Sequence, residues 1–301
     1  MRLGAHIGTS KGLPEAVRQG KAIGAEAIQI FSKSPKMWAG PAIAPEAATA
    51  FREAARAEGL THTAVHHGYL MNLATPKAFM LKRSRTAFLD EIQRAELLGV
   101  DGLIFHPGAH LGSGPEAGIR SIAASVRDTL DKVPEGKVRV LLENAAGQGT
   151  AIGSSFEELK SALVAIDAPD RVGVTLDTCH LLAAGFDFRS DEGYGAVMDQ
   201  MEATIGRDAV RAFHLNDARA PLGSHLDRHE NIGKGEIGRD GFRPLLSDSR
   251  WVNVPGYLET PLDEEGYARY VEDLTVLRSV SPTGPERSPP KRRRTASPPP
   301  S

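Results

Sequence analysis

The chain has 301 residues, 41% of them hydrophobic and 25% charged, with a formal net charge of −2. No apolar run approaches the roughly 20 residues of a membrane span, and the N-terminus lacks the apolar segment of a signal peptide. The single cysteine, Cys179, excludes an intramolecular disulfide framework and fits a reducing compartment. We therefore expect no membrane association and, in a bacterium, a location in the cytoplasm or nucleoid.

Short apolar strand patterns alternate with amphipathic helical patterns along the chain. The predicted strands are 3–6, 27–31, 62–67, 102–106, 138–144, 172–177, 210–216 and 256–259. The predicted helices are one starting at residue 14, then 45–58, 76–98, 116–132, 155–166, 194–205, 242–247 and 264–278. Eight strand–helix units predict an α/β fold, the (β/α)8 TIM barrel. A doubly wound open sheet is the alternative, although the first turn, 4–8, lacks the G-x-G-x-x-G pattern.

The last residues differ in composition from the rest. We expect one barrel domain over 1–278 and a disordered tail over 279–301, which holds seven of the 20 prolines. The basic stretch 290–294 could serve as a nuclear-import signal or a nonspecific DNA arm, or have no dedicated role. Five basic residues and one acidic residue lie in the tail, so the remainder carries a net charge of −6. That charge disfavours a nucleic-acid binder unless bound cations or a basic patch change the field.

Histidines and carboxylates stand at or just after the ends of the later strands. Strand ends share one face of a barrel, so we expect these side chains to converge on one mouth. They are His66, His106, Glu143, Asp177, His180, His214, Asp227, His229 and Glu259. Five imidazoles and four carboxylates suit two or about three zinc ions. Asp227 and His229 are two residues apart and would share one side of an extended segment.

The other potential ligands are left out of this set. Cys179 is expected to be a packing residue, as most lone buried cysteines are. His6 ends the first strand and is ambiguous; it could be a partner of a ligand. The remaining histidines are expected to be surface groups or partners of ligands; they are His62, His67, His110 and His225.

The combined motifs resemble the endonuclease IV family of apurinic/apyrimidinic (AP) endonucleases, from Gly4 to Pro261. The motifs that carry the resemblance are His66-x-x-Tyr69-Leu70-x-Asn72-Leu73, Phe105-His106-Pro107-Gly108, Glu143-Asn144-x-Ala146-Gly147-Gln148-Gly149, Asp177-Thr178-Cys179-His180-x-x-x-Ala184-Gly185, His214-Leu215-Asn216-Asp217 and Asp227-Arg228-His229-x-x-Ile232-Gly233-x-Gly235. Any one of these motifs alone would be weak, whereas the set is specific.

The resemblance implies three zinc ions per chain, with Mn²⁺ as a potential substitute. The first ion would be held by His66, His106 and Glu143. Glu143 would bridge to a second ion, which is completed by Asp177, His214 and Glu259. His180, Asp227 and His229 would hold the third ion. Glu143 and Glu259 are expected to be catalytic.

The resemblance also implies an activity in DNA base excision repair. A metal-activated hydroxide would hydrolyse the phosphodiester 5′ to an abasic site in double-stranded DNA, leaving a 3′-hydroxyl and a 5′-deoxyribose phosphate. Blocked 3′ ends would be trimmed as well, and the enzyme is expected to be a monomer. The alternatives are a divalent-metal sugar isomerase or epimerase on a similar barrel, which needs fewer ligands, and a catalytically silent DNA-binding module.

Four residues are expected to contact DNA. Tyr69 and Leu70 match the intercalating pair of the family, and Arg228 lies between two of the expected ligands. Lys36 stands where an arginine is often found, and a lysine can neither stack nor fork as a guanidinium does. His225 also replaces an expected arginine, which would weaken one backbone contact.

Overall fold

The computed structural model of the chain describes residues 1–262 and 266–281. Eight parallel strands close into a barrel in the order β1-β10-β7-β6-β5-β4-β3-β2. They are β1 (Arg2–Ile7), β2 (Ala27–Ile30), β3 (His62–His66), β4 (Gly102–Phe105), β5 (Arg139–Glu143), β6 (Val172–Asp177), β7 (Val210–His214) and β10 (Pro255–Leu258). Two further short strands, β8 (Asp217–Ala218) and β9 (His229–Glu230), form a separate antiparallel pair. The predicted TIM barrel is confirmed, and the open sheet is wrong because the sheet closes on itself.

Helices alternate with the barrel strands. Within the described residues they are α1 (Leu13–Ala22), α2 (Pro45–Ala57), α3 (Ala78–Leu98), α4 (Pro115–Asp131), α5 (Phe156–Ile166), α6 (Thr178–Ala184), α7 (Asp191–Thr204), α8 (Gly238–Gly241), α9 (Arg243–Ser247) and α10 (Ala268–Val280). In the residues described, no helix has both the length and the apolar character to cross a membrane. From residue 282 onward, the expected tail lies outside the described residues, and so does its basic stretch 290–294.

Among the differences from the predicted helices, two arise from N-caps. The helix predicted over 194–205 starts at Asp191, since the Ser190 hydroxyl accepts a hydrogen bond from the Gly193 N–H at 3.0 Å. Helix α6 was not predicted and follows β6 directly. Its N-cap is Asp177, whose carboxylate accepts the His180 N–H at 2.8 Å. His180 therefore lies in the first turn of a helix.

The barrel interior contains two layers of side chains. One, here called the apolar layer, is a cluster separate from the larger core that includes the helices; it consists of Ala27, Ala64, Ile104, Leu141, Ala212 and Tyr257. Residues two apart on a strand share a face. A polar side chain follows each member of the apolar layer two residues later in the chain. β1 and β6, which have no member in the apolar layer, each contribute one further polar side chain. This polar layer consists of His6, Gln29, His66, His106, Glu143, Asp177, His214 and Glu259.

Candidate metal centre

Glu143 lies at the centre of the polar layer and is completely buried. Its Oε2 atom is 3.1 Å from Nε2 of His66 and 3.5 Å from Nε2 of His106. Its Oε1 atom is 2.9 Å from Nδ1 of His214. Burial alone would raise the pKa of Glu143, but the surrounding imidazoles of His106, His214 and His66 hold it well below the ordinary value. The carboxylate is therefore ionised at neutral pH.

A second group of ligand atoms surrounds His214. Nδ1 of His214 lies 3.3 Å from Oε2 of Glu259 and 3.8 Å from Oδ2 of Asp177. Although burial opposes the charge on His214, Glu259 and Glu143 raise its pKa to about 9. Burial likewise opposes ionisation of Glu259, but His214, His6 and His66 hold its pKa well below the ordinary value.

The third group joins His180 of α6 to Asp227 and His229. Nε2 of His180 and Nε2 of His229 lie 3.2 and 3.3 Å from the same carboxylate oxygen, Oδ1 of Asp227. Both nitrogens are buried, and within the described residues neither has a hydrogen-bond partner. Burial opposes the ionised form of Asp227, but His180, followed by His229 and His106, lowers its pKa to about 2. Two unpartnered imidazole nitrogens facing one anionic oxygen suit a cation placed among them.

Three groups of ligand atoms have the memberships that the resemblance implies. In each group the atoms lie within 4.8 Å of one another; the groups are His66–His106–Glu143, Glu143–Asp177–His214–Glu259 and His180–Asp227–His229. A further group contains Cys179 with Asp177 and His229. The Cys179 thiol is buried, and burial followed by the charge of Asp177 raises its pKa above its ordinary value. A neutral thiol is a poor ligand at neutral pH.

The orientation of the imidazole rings also fits metal binding. In three of the histidines, Nδ1 lies within hydrogen-bond distance of a backbone carbonyl oxygen. The pairs are His66 with His67 at 2.7 Å, His180 with Asn144 at 2.9 Å, and His229 with Glu259 at 3.2 Å. A carbonyl oxygen only accepts, so Nδ1 carries the proton in each ring. In the neutral ring that binds a cation, Nε2 then directs its lone pair into the site, the arrangement typical of metal-bound histidines.

The loop that carries Asp227 and His229 is anchored by two buried carboxylates. Asp217 accepts hydrogen bonds from the backbone N–H groups of Gly233, Gly235 and Ile237 at 2.8–3.1 Å. Asp273 accepts from the Ile232 N–H at 2.9 Å and from the Asn231 side chain at 3.0 Å. Addition of a Cβ at Gly235 would bring it 2.4 Å from the Ala218 carbonyl oxygen, so this close approach needs glycine. The two glycines after His229 thus let the loop fold back over the mouth.

Two cavities open beside the polar layer. One of about 400 Å³ is lined by His6, Tyr69 and ligand-type residues of all three groups. The other, of about 460 Å³, is lined by Tyr69, Leu70 and the 145–148 segment, and it also reaches His106, His180 and Asp227. The side chains of Tyr69 and Leu70 are 65% and 38% exposed, respectively. Large apolar side chains so exposed at the rim of a polar cavity suggest a contact surface.

The loop that carries Lys36 packs next to Tyr69. The Tyr69 N–H donates to the Pro35 carbonyl oxygen at 3.1 Å. Both ends of the loop are tied to α3: Lys33 Nζ lies 2.6 Å from the Asp90 carboxylate, and Arg94 donates to the Gly40 carbonyl oxygen at 2.9 Å. The Lys36 side chain remains exposed.

Two further residues singled out in the sequence lie on the loop of the third group. Arg228 is exposed and donates to the Asp227 carbonyl oxygen at 2.6 Å. His225 has a positive φ of 54°. Its Nδ1 atom lies 3.2 Å from the Ala146 carbonyl oxygen, so it contacts the other side of the mouth.

Gln29 is not among the candidate residues predicted from the sequence, yet it is completely buried in the polar layer. Its amide contacts Glu259, His214 and His6. The available signal was its position: a polar residue two after Ala27 on an apolar strand has the spacing that separates Leu141 from Glu143.

The closed barrel and the groups of histidines and carboxylates at its mouth together define the class of this protein, a TIM-barrel enzyme. The family model described as "Xylose isomerase-like TIM barrel" matches residues 17–280. A "Probable endonuclease 4" of Chloroflexus aurantiacus is 40% identical over 279 residues, covering 93% of this chain and 98% of that protein. The crystal structure of endonuclease IV from Thermus thermophilus matches with a TM-score of 0.81 and 33% identity, over 93% of this chain and 98% of that one. This chain belongs to the endonuclease IV family, and it is a hydrolase.

A further structural match concerns the fold alone. The D-psicose 3-epimerase of Clostridium cellulolyticum matches with a TM-score of 0.68 but only 16% identity, over 93% of this chain and 99% of that one. Barrels of this kind host unrelated chemistries, so the function has to be argued from the site.

Proposed function

We propose that this protein is a zinc-dependent AP endonuclease of DNA base excision repair. It hydrolyses the phosphodiester 5′ to an abasic site, leaving a 3′-hydroxyl and a 5′-deoxyribose phosphate, and it also trims blocked 3′ ends. The observation that carries the proposal is the convergence of five imidazoles and four carboxylates in three adjoining groups. So many ligands exceed what a single catalytic ion takes. The names of the relatives support the same activity.

The donor set fits zinc, which takes nitrogen and oxygen ligands from histidine and carboxylates. His66, His106 and Glu143 would hold one ion, and Glu143 would be shared with a second that is held by Asp177, His214 and Glu259. His180, Asp227 and His229 would hold another, giving about three per chain; Mn²⁺ could substitute. When bound, such ions activate water as a nucleophile and neutralise charge on the phosphoryl oxygens.

Glu143 and Glu259 take part as groups that are ionised at neutral pH. Their pKa values lie well below the ordinary value, because imidazoles of the polar layer face both carboxylates. At neutral pH neither side chain has a proton to give to a leaving oxygen. Their role is to bind cations and accept hydrogen bonds, and the 3′ oxygen must be stabilised by positive charge at the mouth.

Residues at the rim present the lesion to this centre. An abasic nucleotide has no base pair, so rotating it out of the helix is least costly there. Tyr69 and Leu70, exposed at the rim, fill the gap as an apolar wedge. Lys36 and Arg228, both exposed cations, contact backbone phosphates.

The direct test is incision of a duplex that contains one tetrahydrofuran abasic analogue. A β-lyase cannot cut this analogue, so cleavage requires hydrolysis. We expect a single cut 5′ to the analogue, and a 3′ end that a DNA polymerase extends. Metal-replete protein that leaves the duplex intact would refute the proposal. Conversion of a ketose sugar by such protein would favour the isomerase or epimerase alternative.

The protein would act as a monomer on duplex DNA, in whatever compartment holds that DNA. Bound cations would supply the positive charge that the chain, at −2 overall, lacks. The barrel domain, predicted over 1–278 and with its last helix running to Val280, would carry the whole activity.

A further inference from the structure

The carboxamide of Gln29 joins three side chains of the polar layer. Its Nε2 atom lies 2.6 Å from Oε1 of Glu259 and 2.9 Å from Nδ1 of His6. Its Oε1 atom lies 2.8 Å from Nε2 of His214. The side chain is completely buried, so water does not compete for these contacts.

Glu259 determines which way the amide faces. An ionised carboxylate only accepts hydrogen bonds, so the NH₂ group of Gln29 must face it. The amide oxygen then faces His214, and the short contact requires a proton on Nε2 of that ring. This leaves Nδ1 of His214 for the metal centre, where it lies 2.9 Å from Glu143 and 3.3 Å from Glu259.

The same amide sets the proton position of His6. The second N–H of Gln29 is donated to Nδ1 of His6 at 2.9 Å, so neutral His6 carries its proton on Nε2. That nitrogen is buried and has no hydrogen-bond partner within the described residues. The ring lines the cavity of about 400 Å³ beside the metal centre.

His214 differs from three other histidines of the centre in what orients it. His66, His180 and His229 each donate Nδ1–H to a backbone carbonyl, so the fold itself sets their rings. Among the described residues, His214 has no backbone carbonyl as a partner of its ring nitrogens. Its orientation therefore depends on side chains: Gln29 contacts Nε2, and Glu143 lies on the metal-facing side at Nδ1.

We propose that Gln29 is the positioning residue of the second metal group: it holds His214 with the proton on Nε2 and Nδ1 toward the ion, and it fixes the Glu259 carboxylate. The inference rests on the metal centre of the proposed function. Loss of such an outer hydrogen-bond partner typically costs about 10- to 100-fold in metal affinity.

Gln29→Met tests this, because methionine keeps the length of the side chain and removes every hydrogen bond. Two readouts on the full-length protein are needed: zinc affinity by competition with a chromophoric chelator, and nitrogen–proton NMR of the histidine rings. We expect one zinc ion to bind about 10- to 100-fold more weakly. The Nε2 proton of His214, protected from exchange in the zinc-loaded wild type, should exchange with water. The His6 ring should lose its preference for a proton on Nε2.

Gln29→Glu separates the two halves of the contact. Glutamate offers an acceptor to His214 but no donor to Glu259, and it places two carboxylates side by side. We expect the protected Nε2 proton of His214 to return while zinc affinity stays below that of the wild type. A change in side-chain volume at position 29 would not restore the His214 proton while leaving zinc affinity low.

Two control variants complete the design. Gln93→Met makes the same chemical change on an exposed position of α3. Tyr194→Phe removes a hydroxyl outside the metal centre that donates to Asp248 at 2.6 Å and accepts from the Trp251 N–H at 2.8 Å, and so reports whether a general loss of stability weakens zinc binding. Both should bind zinc as the wild type does.

Wild-type zinc affinity in Gln29→Met, or a proton on Nδ1 of His214 in the zinc-loaded wild type, would overturn the inference. Neither readout needs DNA. A protein that binds zinc in a Gln29-dependent manner but does not cut abasic DNA would therefore refute the proposed function and leave this inference standing.

Discussion

The apolar layer and the polar layer lie two residues apart on the same strands, and burial has opposite consequences in them. Leu141 and Glu143 of β5 are 4% and 0% exposed. Removing the leucine from water stabilises the fold by roughly 1.5–3 kcal/mol, whereas burying a carboxylate is costly unless it is paired. The apolar layer thus stabilises the fold, whereas burial of ionised groups in the polar layer lowers the net stability.

The comparison also shows how one barrel combines rigidity with reactivity. The apolar layer closes the interior below the mouth with side chains from six strands. The polar layer above it contains groups from all eight barrel strands, or from the residues that directly follow them. Substitutions in the two layers should therefore have separable effects, on stability in one case and on metal binding and catalysis in the other.

Glu143→Ala should have the largest effect, because it removes the side chain shared by two of the ligand groups. Losing an outer-shell partner already costs about 10- to 100-fold, so we expect incision of abasic DNA to fall by more than about 100-fold. Zinc content should fall with it. Glu157→Ala, on an exposed position of α5, is the matched control. Wild-type turnover in Glu143→Ala would mean that the metal assignment is wrong.

Leu141→Ala disrupts the apolar layer alone. Truncating a buried leucine leaves a cavity and typically costs about 2–5 kcal/mol. We expect a loss of that size in the free energy of unfolding, measured by urea denaturation, with unchanged zinc content in the folded protein. Loss of zinc without loss of stability would show that the two layers are not separable.

Tyr69→Ala probes the rim, outside both layers. Stacking of a base on an aromatic ring contributes about 1–3 kcal/mol, so KM for an abasic duplex should rise by about tenfold while zinc content stays the same. Tyr69→Phe keeps the ring and should behave like the wild type. An unchanged KM in the alanine variant would remove Tyr69 from the DNA contact surface.

The pH dependence of zinc binding should show a smaller, graded effect. Although burial opposes it, Glu259 and Glu143 raise the pKa of His214 in the metal-free protein to about 9. Below this pH a proton must leave Nδ1 before a cation can bind there. Zinc affinity should therefore increase with pH and level off above about 9, by at most about tenfold per pH unit for this one proton. Affinity that decreases between about pH 6 and about pH 8 would contradict this.

The barrel could be predicted from periodicity because each strand pattern is bounded by turn residues and followed by a helical pattern. Helix α6 could not, since its seven residues fall within a motif of ligand-type residues and its N-cap, Asp177, is itself such a residue. The early start of α7 depends on Ser190, whose capping role is local and easily missed in a polar segment.

The site could be predicted only in part, because some of its residues stand out in the sequence and others do not. Histidines and carboxylates at strand ends stand out against apolar strands, as His66 and Glu143 show. Gln29 occupies the same kind of position, but an amide has no metal-ligand signature, and a single polar residue in a strand could equally face solvent. Its role follows only from the closed barrel, which brings Gln29 of β2 next to His214 at the end of β7 and Glu259 just after β10.

The most direct test of the central claim is the position of zinc in crystals of the full-length protein, read from anomalous scattering at the zinc absorption edge. We predict about three peaks per chain, with Glu143 between two of them and the third among His180, Asp227 and His229. A single peak, or peaks away from the polar layer and its loop, would contradict the account.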